Sequence, residues 1–256
     1  MCTQITEYTT SSVVPSDVIK AVQLLPHLRI LNVQRLAYEP RSEALPLAEP
    51  IHLPELVQLR ILHIVAHWQD STSGTGIEAL FDSMSCPALV HLSLNLSGEC
   101  SDSFKRFEER SNFVLQHYNG GQKAATFVKG LQNCFALEKL VLEGTHTYQT
   151  ILDVLGSVYT LPASTTDSQS VISPTAQFPN LRQVEFHLSA ISFADLGAFM
   201  DKFHSIMCVR AFYNDSIVPL EIVVMTPNEQ ARKMLDHERL KDIQQAPKVT
   251  MKIIAT

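Results

Sequence analysis

Cys86-Pro87-Ala88-Leu89-Val90-His91-Leu92-Ser93-Leu94-Asn95 decides the fold. Within it, Leu89-x-x-Leu92-x-Leu94 follows a proline-containing lead-in. Leucines two apart point to the same side of a strand, so Leu92 and Leu94 face one core and Leu89 anchors the start. The phrase recurs along the chain as Leu28-x-x-Leu31-x-Val33, Leu59-x-x-Leu62-x-Ile64, Leu137-x-x-Leu140-x-Leu142 and Leu181-x-x-Val184-x-Phe186. First leucines are separated by 31, 30, 48 and 44 residues. A single strand of this kind cannot bury its own leucines, but parallel stacking of five makes one continuous core. Its rows are expected to be Leu31, Leu62, Leu92, Leu140 and Val184, then Val33, Ile64, Leu94, Leu142 and Phe186.

Helical patterns alternate with these strands. Phe193, Leu196, Phe199, Met200 and Phe203 recur at three- and four-residue steps and predict a helix over 193–203, with Ser192 and Asp195 as its capping pair. Weaker helical segments run over 17–25, 77–84, 126–132 and 148–159. Strand–helix alternation predicts an α/β fold with parallel strands and right-handed crossovers. No Gly-rich phosphate loop follows a strand, so a curved solenoid fits better than a dinucleotide-binding sheet.

Three stretches break the period: the Pro-rich 39–50, a polar insertion over 97–123 with a short helix near 104–113, and the Ser/Thr/Pro-rich 162–180. Residues 1–15 are expected to be disordered and 16–225 to form the repeats. Residues 226–256 form a cap, since a terminal repeat would otherwise expose its core. In the C-terminal part, 209–213 reads as an irregular strand, and 217–224 and 248–254 as regular ones. Thr226-Pro227-Asn228-Glu229 starts one helix reaching about Gln245, with Ala231, Met234, Leu235 and Ile243 inward.

The chain has 256 residues, 45% hydrophobic and 18% charged, with a formal net charge of −6. That composition folds, and its acidic balance argues against a nucleic-acid-binding surface. No apolar run reaches the ~18 residues of a membrane span. Residues 1–12 lack the charged and apolar regions of a secretory signal. Five scattered cysteines without a CxxC pair read as reduced thiols. A cytoplasmic or nuclear protein is expected.

Phrases such as Leu25-Pro26-His27-Leu28-Arg29-Ile30-Leu31 and Phe178-Pro179-Asn180-Leu181-Arg182-Gln183-Val184 resemble the irregular leucine-rich repeats of fungal F-box proteins, over roughly 16–225. The resemblance implies a solenoid with strands on the concave face and helices on the convex face. It further implies a receptor that brings a target protein to a cullin-type ubiquitin ligase. The usual ninth-position asparagine is replaced by Leu36, His67, Ser97, Thr145 and Ser189. Val14-Pro15-Ser16-Asp17-Val18-Ile19 is similar to the opening of an F-box, but the first repeat follows at once. Contact with a ligase adaptor would therefore need an upstream F-box.

No nucleophile elbow, P-loop, zincin or Rossmann motif occurs, and no cofactor is implied. The reading is a non-enzymatic protein-recognition module whose target the sequence does not name. Its expected partner surface is the concave face: Ile30, Ile61, His91, Lys139 and Gln183 at the third repeat position, and Asn32, His63, Ser93, Val141 and Glu185 at the fifth. Arg29, Arg60 and Arg182 share the second position, and apolar anchors beside arginine suit protein binding. The alternatives are a stand-alone scaffold without ligase connection and a small metal enzyme built on His63, His67 and His91. Strands ~4.8 Å apart bring such imidazoles near one another, but a stable site needs further ligands.

Overall fold

The computed structural model describes residues 4–37, 49–64, 77–95, 101–121, 134–145, 152, 180–188, 196–213, 218–245 and 248–256. The chain divides into two compact units, Met1–Asn133 and Cys134–Thr256. The predicted helical segments at 126–132 and 148–159 and the loop at 162–180 lie almost wholly outside the described residues.

In the first unit, β1 (Glu7–Thr10), β2 (Ile30–Leu36), β4 (Gln58–Ile64), β6 (His91–Leu94) and β7 (His117–Gly120) pair in that order, all parallel. Between them come α1 (Pro15–Gln23), α2 (Ile77–Asp82) and α3 (Ser101–Ser111). A separate short pair is formed by β3 (Ile51–His52) and β5 (Met84–Ser85). In the second unit the parallel order is β8 (Lys139–Thr145), β9 (Gln183–Leu188), β10 (Leu220–Thr226) and β11 (Val249–Ala255). Its helices are α4 (Leu196–Tyr213), α5 (Asn228–Leu235) and α6 (Arg239–Gln245). The α/β class with parallel strands is thus as expected. Among the described residues no helix is long and apolar enough to cross a membrane.

Register is set at the start of each strand. The Thr6 carbonyl accepts the N–H groups of Arg29 (2.8 Å) and Ile30 (3.0 Å). Arg29 O accepts those of Val57 and Gln58, Val57 O those of Val90 and His91, and Val90 O those of Gln116 and His117. In the second unit Glu138 O accepts the N–H groups of Arg182 and Gln183 in the same way. Ahead of three of these strands a proline-containing turn closes with an i to i+3 bond: Leu28 N–H to Leu25 O, Leu56 N–H to Leu53 O, and Leu89 N–H to Cys86 O.

This ladder corrects the second repeat. Leu59 lies opposite Leu31, and Ile61 opposite Val33, so the repeat begins at Leu56, three residues earlier than expected. Ile61, expected on the outward face, is fully buried. Leu62, expected in the core, is half-buried on the other side. Leucine recurs at 53, 56, 59 and 62, so the pattern fits two frames. The Leu53-Pro54-Glu55-Leu56 turn selects between them.

The polar insertion at 97–123 is in fact a further helix and strand. Phe104, Phe107, Phe113, Leu115 and Tyr118 are all buried. The Phe107 ring stacks on Phe81 at 5.2 Å and meets Phe113 at 5.4 Å. Polar residues on the outer side of α3 had hidden this apolar face. Asn112, with φ 49°, stops α3 in a left-handed cap. The core rows of the unit are Tyr8, Leu31, Leu59, Leu92 and Tyr118, then Thr10, Val33, Ile61, Leu94 and Gly120. Gly120 is needed where a leucine would stand, because a Cβ there would lie 2.5 Å from the Tyr118 hydroxyl and 2.7 Å from its ring.

Other expectations also change. Residues 1–15 are not a disordered leader throughout, since β1 pairs with β2 and Val13 bridges Leu36. Residues 209–213 continue α4 rather than forming a strand, because 204–213 hold no glycine or proline to stop the helix. The C-terminal helix is two helices. Its first begins at Asn228 with Pro227 as cap, while Thr226 is the buried end of β10 and its hydroxyl meets Gln230 Oε1 at 3.0 Å. The chain turns over 236–238, where His237 Nδ1 accepts the Arg239 N–H and caps α6. Ala231, Met234 and Ile243 are buried as expected, whereas Leu235 is exposed and Leu240 takes the inward place.

Two stability measurements check this register. Ile61→Ala should cost ~2–5 kcal/mol in urea unfolding and Leu62→Ala distinctly less; equal losses would restore the other frame. Gly120→Ala should cost about 1–3 kcal/mol, because the buried Tyr118 ring must shift within the core to make room for the methyl group.

Candidate functional site

On a parallel strand with one side in the core, alternate residues face away from it. In the first unit these form two rows. One holds Glu7, Ile30, Gln58, His91 and His117; the other holds Thr9, Asn32, Arg60, Ser93 and Asn119. Ile30 and Leu62 are half-buried, and Arg60 is exposed beside Asn32. Arg60 therefore stands in the middle of this face, at the fifth repeat position and not the second. Arg29 is exposed at its edge, where its carbonyl carries the β2–β4 link. The Asn32 amide donates a long 3.5 Å bond to Thr9 Oγ1, while its own Oδ1 is buried without a hydrogen-bond partner among the described residues.

The histidines are placed differently from the expected group. His91 lies opposite Gln58, five residues short of His63 on β4, a separation of ~16 Å along the strand. His67 and the side chain of His63 lie outside the described residues. The neighbour of His91 is His117 on β7, with ring centroids 4.4 Å apart and an interplanar angle of 68°. Sequence reading missed this partner because it placed 117 in an insertion. Among the described residues no three His, Cys, Asp or Glu side chains converge as a metal-binding group.

In the second unit the outward rows are Lys139, Gln183, Glu221 and Thr250, then Val141, Glu185, Val223 and Lys252. The predicted Lys139, Gln183 and Glu185 come together here, joined by His187 and by Glu221 and Lys252, the last two not singled out by the sequence. Glu185 binds Lys139 Nζ at 3.2 Å and His187 Nε2 at 2.6 Å. Gln183 Nε2 donates to Glu221 Oε2 at 3.2 Å, and Lys252 pairs with the other Glu221 oxygen. Burial raises the Glu185 pKa, but hydrogen bonds and charge from His187 and Lys139 outweigh it and hold the carboxyl below its usual range. Val141 and Val223 are buried within this face, leaving a platform of mutually neutralised charges.

Elsewhere in the first unit, Arg110 donates to the Met84 carbonyl from Nε (3.0 Å) and Nη2 (2.7 Å) and also reaches the Phe81 carbonyl, closing the end of α2. Burial pushes the Cys86 thiol up to about 12, although Arg110 opposes it. Such a thiol is protonated near neutral pH and is a packing group rather than a nucleophile.

Comparison of the chain with protein-family models, with curated proteins and with solved structures finds no match.

A carboxyl held below its ordinary pKa stabilises the fold above that ordinary value, and the contribution disappears as pH falls through the folded value. Glu185→Gln should therefore lower the urea midpoint at neutral pH and converge on wild type as pH falls through the folded value. A midpoint difference that persists in acid would show that the effect is not ionic.

Proposed function

We propose that the chain is a non-enzymatic protein-recognition module of the leucine-rich-repeat type, a solenoid with strands on the concave face and helices on the convex face. The observation that carries this reading is the outward face of β2, β4, β6 and β7. Half-buried Ile30 and Leu62 offer apolar contact there. Exposed Arg60 and the imidazoles of His91 and His117 supply polar anchors. Arginine and large apolar groups in one patch are what protein interfaces favour. Ile61 belongs to the core, so Leu62 takes its place as the second apolar contact.

The partner is a target protein, in a cytoplasmic or nuclear setting. By its resemblance to the target-binding part of fungal F-box proteins, the module would present that target to a ubiquitin ligase, with adaptor contact supplied by an F-box upstream. Further support comes from the recurring Leu-Pro-x-Leu turn followed by a strand, at Leu25–Leu28 and Leu53–Leu56.

Affinity purification from cells with a tag at the endogenous locus tests both levels. Recovery of a cullin and its adaptor supports the receptor role; their absence, with other proteins retained, favours a stand-alone scaffold. Arg60→Glu, alone and with Arg29→Glu, should lower partner recovery roughly tenfold or more without unfolding the chain. Undiminished recovery would remove this face as the binding surface.

A further inference from the structure

We propose that His91 and His117 form a two-imidazole site for a divalent transition-metal ion with tetragonal preference, Cu2+ or Ni2+. The inference is independent of protein recognition, since it concerns the free chain and a bare ion.

The argument begins with the ladder. Because Val90 O takes the N–H groups of both Gln116 and His117, and Val57 O those of Val90 and His91, the two histidines are held at the same level on neighbouring strands. Their flanking residues Leu92 and Tyr118 are buried in the core, so both imidazoles leave the sheet on the outward side. Both side chains are half-buried there, supported by the sheet yet reached by solvent.

The spacing fits one coordination geometry better than another. A metal about 2.0 Å from one nitrogen of each ring places the two centroids ~4.5 Å apart at a right angle and ~5.2 Å apart at the tetrahedral angle. The observed separation is 4.4 Å, which matches the right angle. The rings are also inclined at 68° instead of being stacked. Face-to-face stacking would hold their in-plane lone pairs parallel, whereas inclined planes let them converge. Imidazole suits copper and nickel, and a tetragonal N,O set is characteristic of their divalent ions. With two protein nitrogens in adjacent positions, water supplies the remaining ligands.

The test is a titration of the full chain with Cu2+ in a glycine-containing buffer that holds loosely bound copper, followed by electron paramagnetic resonance. One retained equivalent with hyperfine splitting from two imidazole nitrogens is expected. His91→Gln and His117→Gln should each weaken binding roughly tenfold or more and remove one nitrogen from the spectrum. His27→Gln, whose parent imidazole is engaged with Glu55 at 2.7 Å, should leave both readouts unchanged. Circular dichroism of each variant separates loss of the site from loss of fold. Failure to retain copper against glycine, or an unaltered spectrum in a folded His91→Gln/His117→Gln double variant, would overturn the proposal.

Discussion

One carbonyl in each of the first repeats accepts two N–H groups from the next strand, and the arrangement of the first unit depends on it. Thr6, Arg29, Val57 and Val90 each serve as this acceptor. A carbonyl has two lone pairs, and using both fixes the depth at which the next strand starts. A slip by one residue would turn every side chain to the opposite side of the sheet. The bond involves only backbone atoms, so it tolerates arginine, valine or threonine at that place. That tolerance lets the repeats differ so widely in sequence while their inward rows stay aligned.

Side chains then adapt to a register already fixed. Tyr118 occupies a place that leucine holds in β4 and β6, and Gly120 gives up its own side chain to make room for the ring. Phe81, Phe104, Phe107 and Phe113 form one buried aromatic group in the same unit. On the outward side the same register lines up His91 with His117. In the second unit it brings Lys139, Glu185 and His187 together, with Gln183, Glu221 and Lys252 adjacent.

How much of this the amino-acid order revealed follows from where pattern and physics coincide. Leu89, Leu137 and Leu181 each head a run that fits one frame only, and their strands, like that of Leu28, emerged as expected. The run from Leu53 to Leu62 fits two frames, and apolar spacing alone chose the wrong one. The deciding signal was a turn: Leu53-Pro54-Glu55-Leu56 repeats Leu25-Pro26-His27-Leu28 and Cys86-Pro87-Ala88-Leu89. Leu115 to Gly120 escaped notice because Tyr118 and Gly120 share one inward volume unequally, a pairing that a leucine template does not describe. Of the site residues, those on β2, β6, β8 and β9 fell on the outward side of their strands. His117, Glu221 and Lys252 were missed because their strands were misassigned or left out of the repeat. The break between the two C-terminal helices is marked by one imidazole accepting one amide N–H, a contact that apolar periodicity does not register.

The last strand of the second unit has a property of a different kind. Among the described residues β11 has a neighbour on one side only, β10, and Val249-Thr250-Met251-Lys252-Ile253-Ile254-Ala255 is rich in residues that favour extended structure. An edge like this is a template for another molecule of the same chain. Two copies meeting head to tail about the strand midpoint would bring one Lys252 directly against the other. Like charges so placed repel, although each is tempered by its own Glu221 on the neighbouring strand. A lysine at the midpoint of an exposed edge strand thus works against closed, antiparallel pairing of two copies through β11.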